Sequence, residues 1–120
     1  MNNIEIAKTF LKMASSGDVE AAYRLFVASH FIHHNQYFKS DRNSLMIAMS
    51  EAHQKNPNKS IDIKYTYEDR LTVITHSLVT KEQFQMAVVH IFRFENSKIV
   101  ELWDLGQVID INSPNSKGMF

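Results

Sequence analysis

The chain has 120 residues, 44% of them apolar, enough for one domain with a buried core spanning residues 1–120. Thirteen basic residues balance thirteen acidic ones, with no basic block, which argues against a nucleic-acid partner. The absence of cysteine excludes disulfides, thiolate metal sites and thiol nucleophiles.

The N-terminal stretch MNNIEIAKTF carries no signal-peptide pattern and no apolar run is long enough to span a bilayer, so a soluble cytoplasmic protein without membrane contact is expected. Asn3 can cap a first helix whose stripe is Ile6, Ala7, Phe10, Leu11 and Ala14. The segment SSGD ends it and offers Asp18 as cap of a short second helix, with Val19, Ala22, Tyr23 and Phe26 on one face and its end near Ser29. HFIHHNQYF, His30 to Phe38, reads as an aromatic, histidine-rich connection. Asp41 caps a third helix carrying Leu45, Met49, Ala52 and His53 on one stripe, and the Asn56-Pro57-Asn58 sequence stops it.

From Ser60 the period changes to two. IDIKYTYED alternates Ile61, Ile63, Tyr65 and Tyr67 against polar residues. RLTVITHSLV, FQMAVVHIFRF and KIVELWDLGQVI complete four strands, the last two joined by a tight turn at ENSK. Three helices followed by four strands predict an α+β domain with an antiparallel sheet packed on its helices. The outer face of that sheet would expose Val89, Ile91, Val100 and Leu102, which predicts a homodimer or homotetramer.

Asp104 directly follows the only tryptophan, in the middle of the last strand. A two-residue ENSK turn pairs Glu95 with Lys98, Phe94 with Ile99, His90 with Trp103 and Val89 with Asp104, leaving His90 and Asp104 on opposite faces. A β-bulge near Trp103 would turn both Trp103 and Asp104 toward His90. Asp104 is therefore either a solvent-side residue or a pocket acid. In the second case its apolar neighbours Trp103 and Leu105 would raise its pKa toward that of a general base. His90, inside AVVHIF, is either a core histidine or the partner of that acid. His76 either reaches the same pocket or faces solvent. Phe92, Phe94 and Trp103 read as core before they read as a ligand platform. His30, His33 and His34 have helical spacing but no capped helix and no accompanying Glu, so no metal site is expected. Neither a nucleophile elbow nor a glycine-rich phosphate cradle occurs.

The stretch VVHIFRFENSKIVELWDLGQ, Val88 to Gln107, resembles the closing hairpin of the SnoaL-like polyketide cyclase family within the nuclear-transport-factor-2-like superfamily. FIHHN, Phe31 to Asn35, and the terminal NSKGMF resemble further segments of that family. QYFKSD after HHN and Leu102 before Trp103 depart from its usual pattern, at what would be the pocket mouth. The resemblance implies a cone-shaped barrel, a curved antiparallel sheet wrapped around three N-terminal helices. It also implies metal-free and cofactor-free acid–base chemistry on a small carbonyl, polyketide-like ligand, as in a cyclase or isomerase, with Asp104 as acid/base and His90 on the adjacent strand. Candidate ligand contacts are His34, Asn35, Phe92, Trp103, His76 and Gln107. A non-catalytic small-molecule binding module on the same scaffold is the alternative.

Overall fold

A computed structural model describes residues 1–120. Helix α1 (Asn3–Ser15) buries the predicted stripe of Ile6, Ala7, Phe10, Leu11 and Ala14. Its cap is Asn2, one residue earlier than expected, whose side chain accepts from the Glu5 amide at 2.8 Å. α2 (Val19–Phe26) stops three residues before the expected end. The chain then enters strand β1 (Val27–His33), in the segment read from sequence as a connection. α3 (Arg42–Lys55) begins at Asp41, which accepts from the Ser44 amide, and ends at Asn56 before Pro57.

Strands β2 (Asn58–Asp69), β3 (Thr72–Lys81), β4 (Gln85–Glu95) and β5 (Lys98–Val108) follow as a meander. The sheet has five strands rather than four, in the order β1-β5-β4-β3-β2. It is mixed rather than antiparallel, because β1 lies parallel to β5. It is curved and remains open, a cone rather than a closed barrel, and its concave face packs on the helices. Phe10, Tyr23, Phe92, Phe94, Ile99 and Leu102 meet there at no more than 1% exposure. Burying each such side chain stabilises the fold by about 1.5–3 kcal/mol. No helix is long and apolar enough to cross a membrane.

Three irregularities decide which residues face the cone. In β5, Ile99 pairs with Phe94 and Glu101 with Arg93, so Val100 is the extra residue of a bulge. This bulge lies three residues before the expected position. Beyond it Leu102 pairs with Phe92, Trp103 with Ile91, and Asp104 with His90. Trp103 therefore does not face His90, and Leu102 and Val100 are buried rather than exposed on an outer patch. In β2, Ile63 pairs with Ser77 but Tyr65 with His76, so Lys64 bulges. Ile61 and Ile63 point to the helices while Tyr65 and Tyr67 turn outward, 46% and 58% exposed, against the single face that simple alternation assigns to all four. In β1, Val27 pairs with Ile99 and Ile32 with Glu101, five residues of chain against two. The hairpin turn is as expected: Glu95 pairs with Lys98 and both Asn96 and Ser97 have positive φ.

Candidate functional site

A cavity of about 710 Å³ opens between the concave sheet and the C-terminal halves of α1 and α3. Its middle is apolar, formed by Leu11, Ala14, Met49, Ile61, Val79, Met86 and Val88. Gly106 lies opposite Val88, and a Cβ there would come within 3.1 Å of the Val88 side chain, so glycine keeps this wall thin.

Asp104 and His90 share the wall of this cavity because the Val100 bulge places them directly across the β4–β5 ladder. His90 Nε2 lies 3.1 Å from Asp104 Oδ1, and Asn35 Nδ2 donates to Oδ2 at 2.8 Å. Asn35 is itself held in place: its Oδ1 accepts from the Tyr37 amide at 3.0 Å, which commits the amide nitrogen to Asp104, and its backbone N–H donates to His33 Nδ1. Asp104 retains a quarter of its side-chain exposure, toward the cavity, and His90 only 11%. His90 Nδ1 is buried without a partner, while its Nε2 faces Asp104.

The electrostatics reverse the expectation of a raised carboxyl. Burial by itself pushes Asp104 up, but the hydrogen bond and charge of His90, then the Asn35 amide, outweigh it, and its pKa falls to about 2. Asp104 is an anion at every pH near neutrality. Beneath it Tyr23 is fully buried, its hydroxyl 3.1 Å from Met49 Sδ. Burial, with a smaller contribution from the charge of Asp104, raises the Tyr23 hydroxyl far above its ordinary value, so it remains a neutral phenol.

Of the candidate contacts, Asn35 and Gln107 line the cavity and His34 borders its mouth. The other three do not line it. Phe92 is fully buried in the core, its ring 6.0 Å from that of His90. Trp103 is on the opposite face of the sheet, where His34 stacks on it at 4.6 Å and donates from Nε2 to the Glu101 carboxylate at 2.7 Å. His76 is also on the outer face, stacked on Phe120 at 4.7 Å. The three neighbouring histidines do not converge, as a strand requires: His33 turns inward, His34 sits on Trp103 and His30 lies 3.5 Å from Glu95.

Sequence reasoning assigned no role to two further polar residues of the cavity, His53 and Lys81. Both had a periodic signal, His53 on the α3 stripe one turn after Met49, and Lys81 at the end of the alternating inward row Val73, Thr75, Ser77, Val79 of β3.

No family model matches the sequence, and no curated protein does. Solved structures do match in fold. An NTF2-like protein of unknown function from Cytophaga hutchinsonii superposes with a TM-score of 0.73 at 12% identity, over 89% of this chain and 91% of that one. An LEH-like epoxide hydrolase of M. tuberculosis superposes with a TM-score of 0.69 at 14% identity, over 88% and 82%. A loop-truncation variant of IdmH reaches 0.76 at 16% identity, over 88% and 93%. Neighbours of this architecture thus include enzymes as well as proteins of unknown function, and at these identities the likeness concerns the fold. The order of elements, the open curved sheet and the cavity between sheet and helices identify the chain as having the nuclear-transport-factor-2-like fold.

Proposed function

We propose that this protein is a cofactor-independent acid–base enzyme that moves a proton at the carbon next to a carbonyl group of a small, largely apolar ligand, as a cyclase or isomerase of the SnoaL-like kind does. The observation that carries this reading is the His90–Asp104–Asn35 array on the wall of a cavity whose middle is apolar. Asp104 takes the α-proton onto a carboxylate oxygen, the C–H electron pair becomes the enolate, and His90 Nε2–H donates to the enolate oxygen. In a cyclisation the enolate carbon then attacks a second carbonyl of the same ligand, whose π pair moves to its oxygen, and the proton on Asp104 passes to that alkoxide and restores the carboxylate. In an isomerisation Asp104 returns the proton to another carbon. A dry cavity strengthens the His90 interaction with the developing charge.

A carboxylate of pKa about 2 is a weak base. The bond from His90 is the foremost influence that lowers it. A carbonyl oxygen that takes over His90 Nε2–H removes that influence while the ligand body excludes water from Asp104, and both changes raise its proton affinity. Each unit regained lowers the proton-transfer barrier by up to about 1.4 kcal/mol. The acidity of the free carboxylate equally favours a second reading, a binding module of the same fold in which Asp104 only accepts hydrogen bonds.

Deuterium exchange into a panel of small ketones and β-keto esters separates the two. The enzyme reading expects exchange above the buffer rate for at least one of them. Exchange of none, with retained binding, leaves the binding module.

A further inference from the structure

The cavity has a second polar end, away from Asp104. Lys81, the last inward residue of β3, lines it together with His53, Asn58 and Ser15. Lys81 Nζ makes one hydrogen bond, to the Asn56 carbonyl at 2.9 Å, and no carboxylate lies within ion-pairing distance. The adjacent Glu82 is engaged with Lys59 at 3.2 Å, and Asp104 is the only carboxylate among the lining residues. Burial lowers the Lys81 pKa from its ordinary value, the sign expected of an ammonium without a counter-charge. His53 Nδ1 is buried with no partner, and the ring is pressed against Gly17, where a Cβ would fall 2.7 Å from it. Asn58 is already bound to the Ser15 carbonyl, so it does not serve either group.

This end therefore holds one cation short of an anion. At the other end the Asp104 carboxylate is already hydrogen-bonded to His90 and Asn35. Between them the wall is apolar. We propose that the ligand is an apolar keto acid, its carboxylate held at Lys81 and its carbonyl presented to His90 and Asp104; this rests on the reading of the Asp104 end given above. The ends lie far apart on the sheet. Thr75 of β3 stands opposite His90, and Lys81 is six residues further on, about 20 Å along the strand. Side chains and a hydrogen bond at either end close about half of that distance, which leaves room for a ligand roughly ten heavy atoms long.

The test uses the intact protein and three probes of one chain length: 8-oxononanoate, its methyl ester, and nonan-2-one. Calorimetry should show the acid binding about 10-fold or more tighter than the ester, the scale of a charge-assisted hydrogen bond. Lys81→Gln can still donate to the Asn56 carbonyl but lacks the charge, and should bring the acid-to-ester ratio close to one. Lys81→Arg should restore most of it. A residue that merely ties down the end of α3 would move the melting temperature and leave the ratio alone. Equal binding of acid and ester in the wild type, an unchanged ratio in Lys81→Gln, or no binding of the acid at millimolar concentration overturns the proposal. Asp104→Asn should keep the ratio. A preserved ratio without deuterium exchange of the methyl-ketone protons in the wild type sinks the catalytic reading alone, while exchange with a ratio of one sinks the acid-binding end alone.

Discussion

At the scale of single residues, Asp104 carries two predictions. On the enzyme reading proposed above, Asp104→Asn preserves the shape of the carboxylate and removes its proton affinity, so exchange of a bound ketone should fall about 100-fold or more while ligand binding survives. In stability, a carboxyl lowered from 3.8 to about 2 on folding stabilises the protein at every pH above its unfolded value, and that contribution is lost as the pH falls through the folded value. It amounts to about 2 kcal/mol. Urea unfolding should therefore show the wild type's advantage over Asp104→Asn shrinking by about that amount as the pH falls from 4 to 2. An advantage that persists unchanged down to pH 2 would mean that the His90 and Asn35 bonds do not set the acidity of this group.

Among the elements, β2 and the β4–β5 turn give the sharpest tests. The Lys64 bulge puts Ile63 against the core and Tyr67 into solvent, although both occupy odd positions of one alternating run. Ile63→Ala should cost about 2 kcal/mol, and Tyr67→Ser less than about 0.5 kcal/mol. Comparable costs for the two would contradict the bulge. In the turn, Ser97 sits at φ 61°, a conformation that disfavours any residue with a Cβ. Ser97→Gly should therefore raise the urea midpoint, by the equivalent of about 0.5–1 kcal/mol, with no change in the β4–β5 register.

The whole molecule presents its convex sheet face away from the helices. Tyr65, Tyr67 and Leu105 are exposed there beside Trp103, and Phe120 covers His76. The composition of this face differs from the one expected, since Val100 and Leu102 belong to the interior. A contiguous aromatic surface of this kind still leads us to propose self-association through it. Sedimentation at micromolar concentration should give at least a dimer, and Tyr67→Glu with Leu105→Glu should shift it toward monomer. A monomeric wild type would contradict the proposal.

Much of the architecture was legible in the sequence because its signals are local. A helical stripe such as Ile6, Ala7, Phe10, Leu11 and Ala14, the Asp41 cap, the stop at Pro57, the change of period at Ser60 and the Asn96-Ser97 turn each depend on a few neighbouring residues. Tertiary structure alone decided what depends on a distant partner. β1 shows no alternation, being an irregular edge strand held by β5 about seventy residues later, and so reads as a connection. A bulge exists only relative to its partner strand, so the sequence shows that one residue would bring Asp104 round to His90 but not that Val100 is the residue. The same bulge sends Trp103 to the opposite face from the cavity. The acidity of Asp104 is the balance of burial against His90 and Asn35, one from the neighbouring strand and one from a loop. Apolar sequence neighbours suggested a raised pKa, but the neighbours that matter electrostatically are those in space, and they are hydrogen-bond donors.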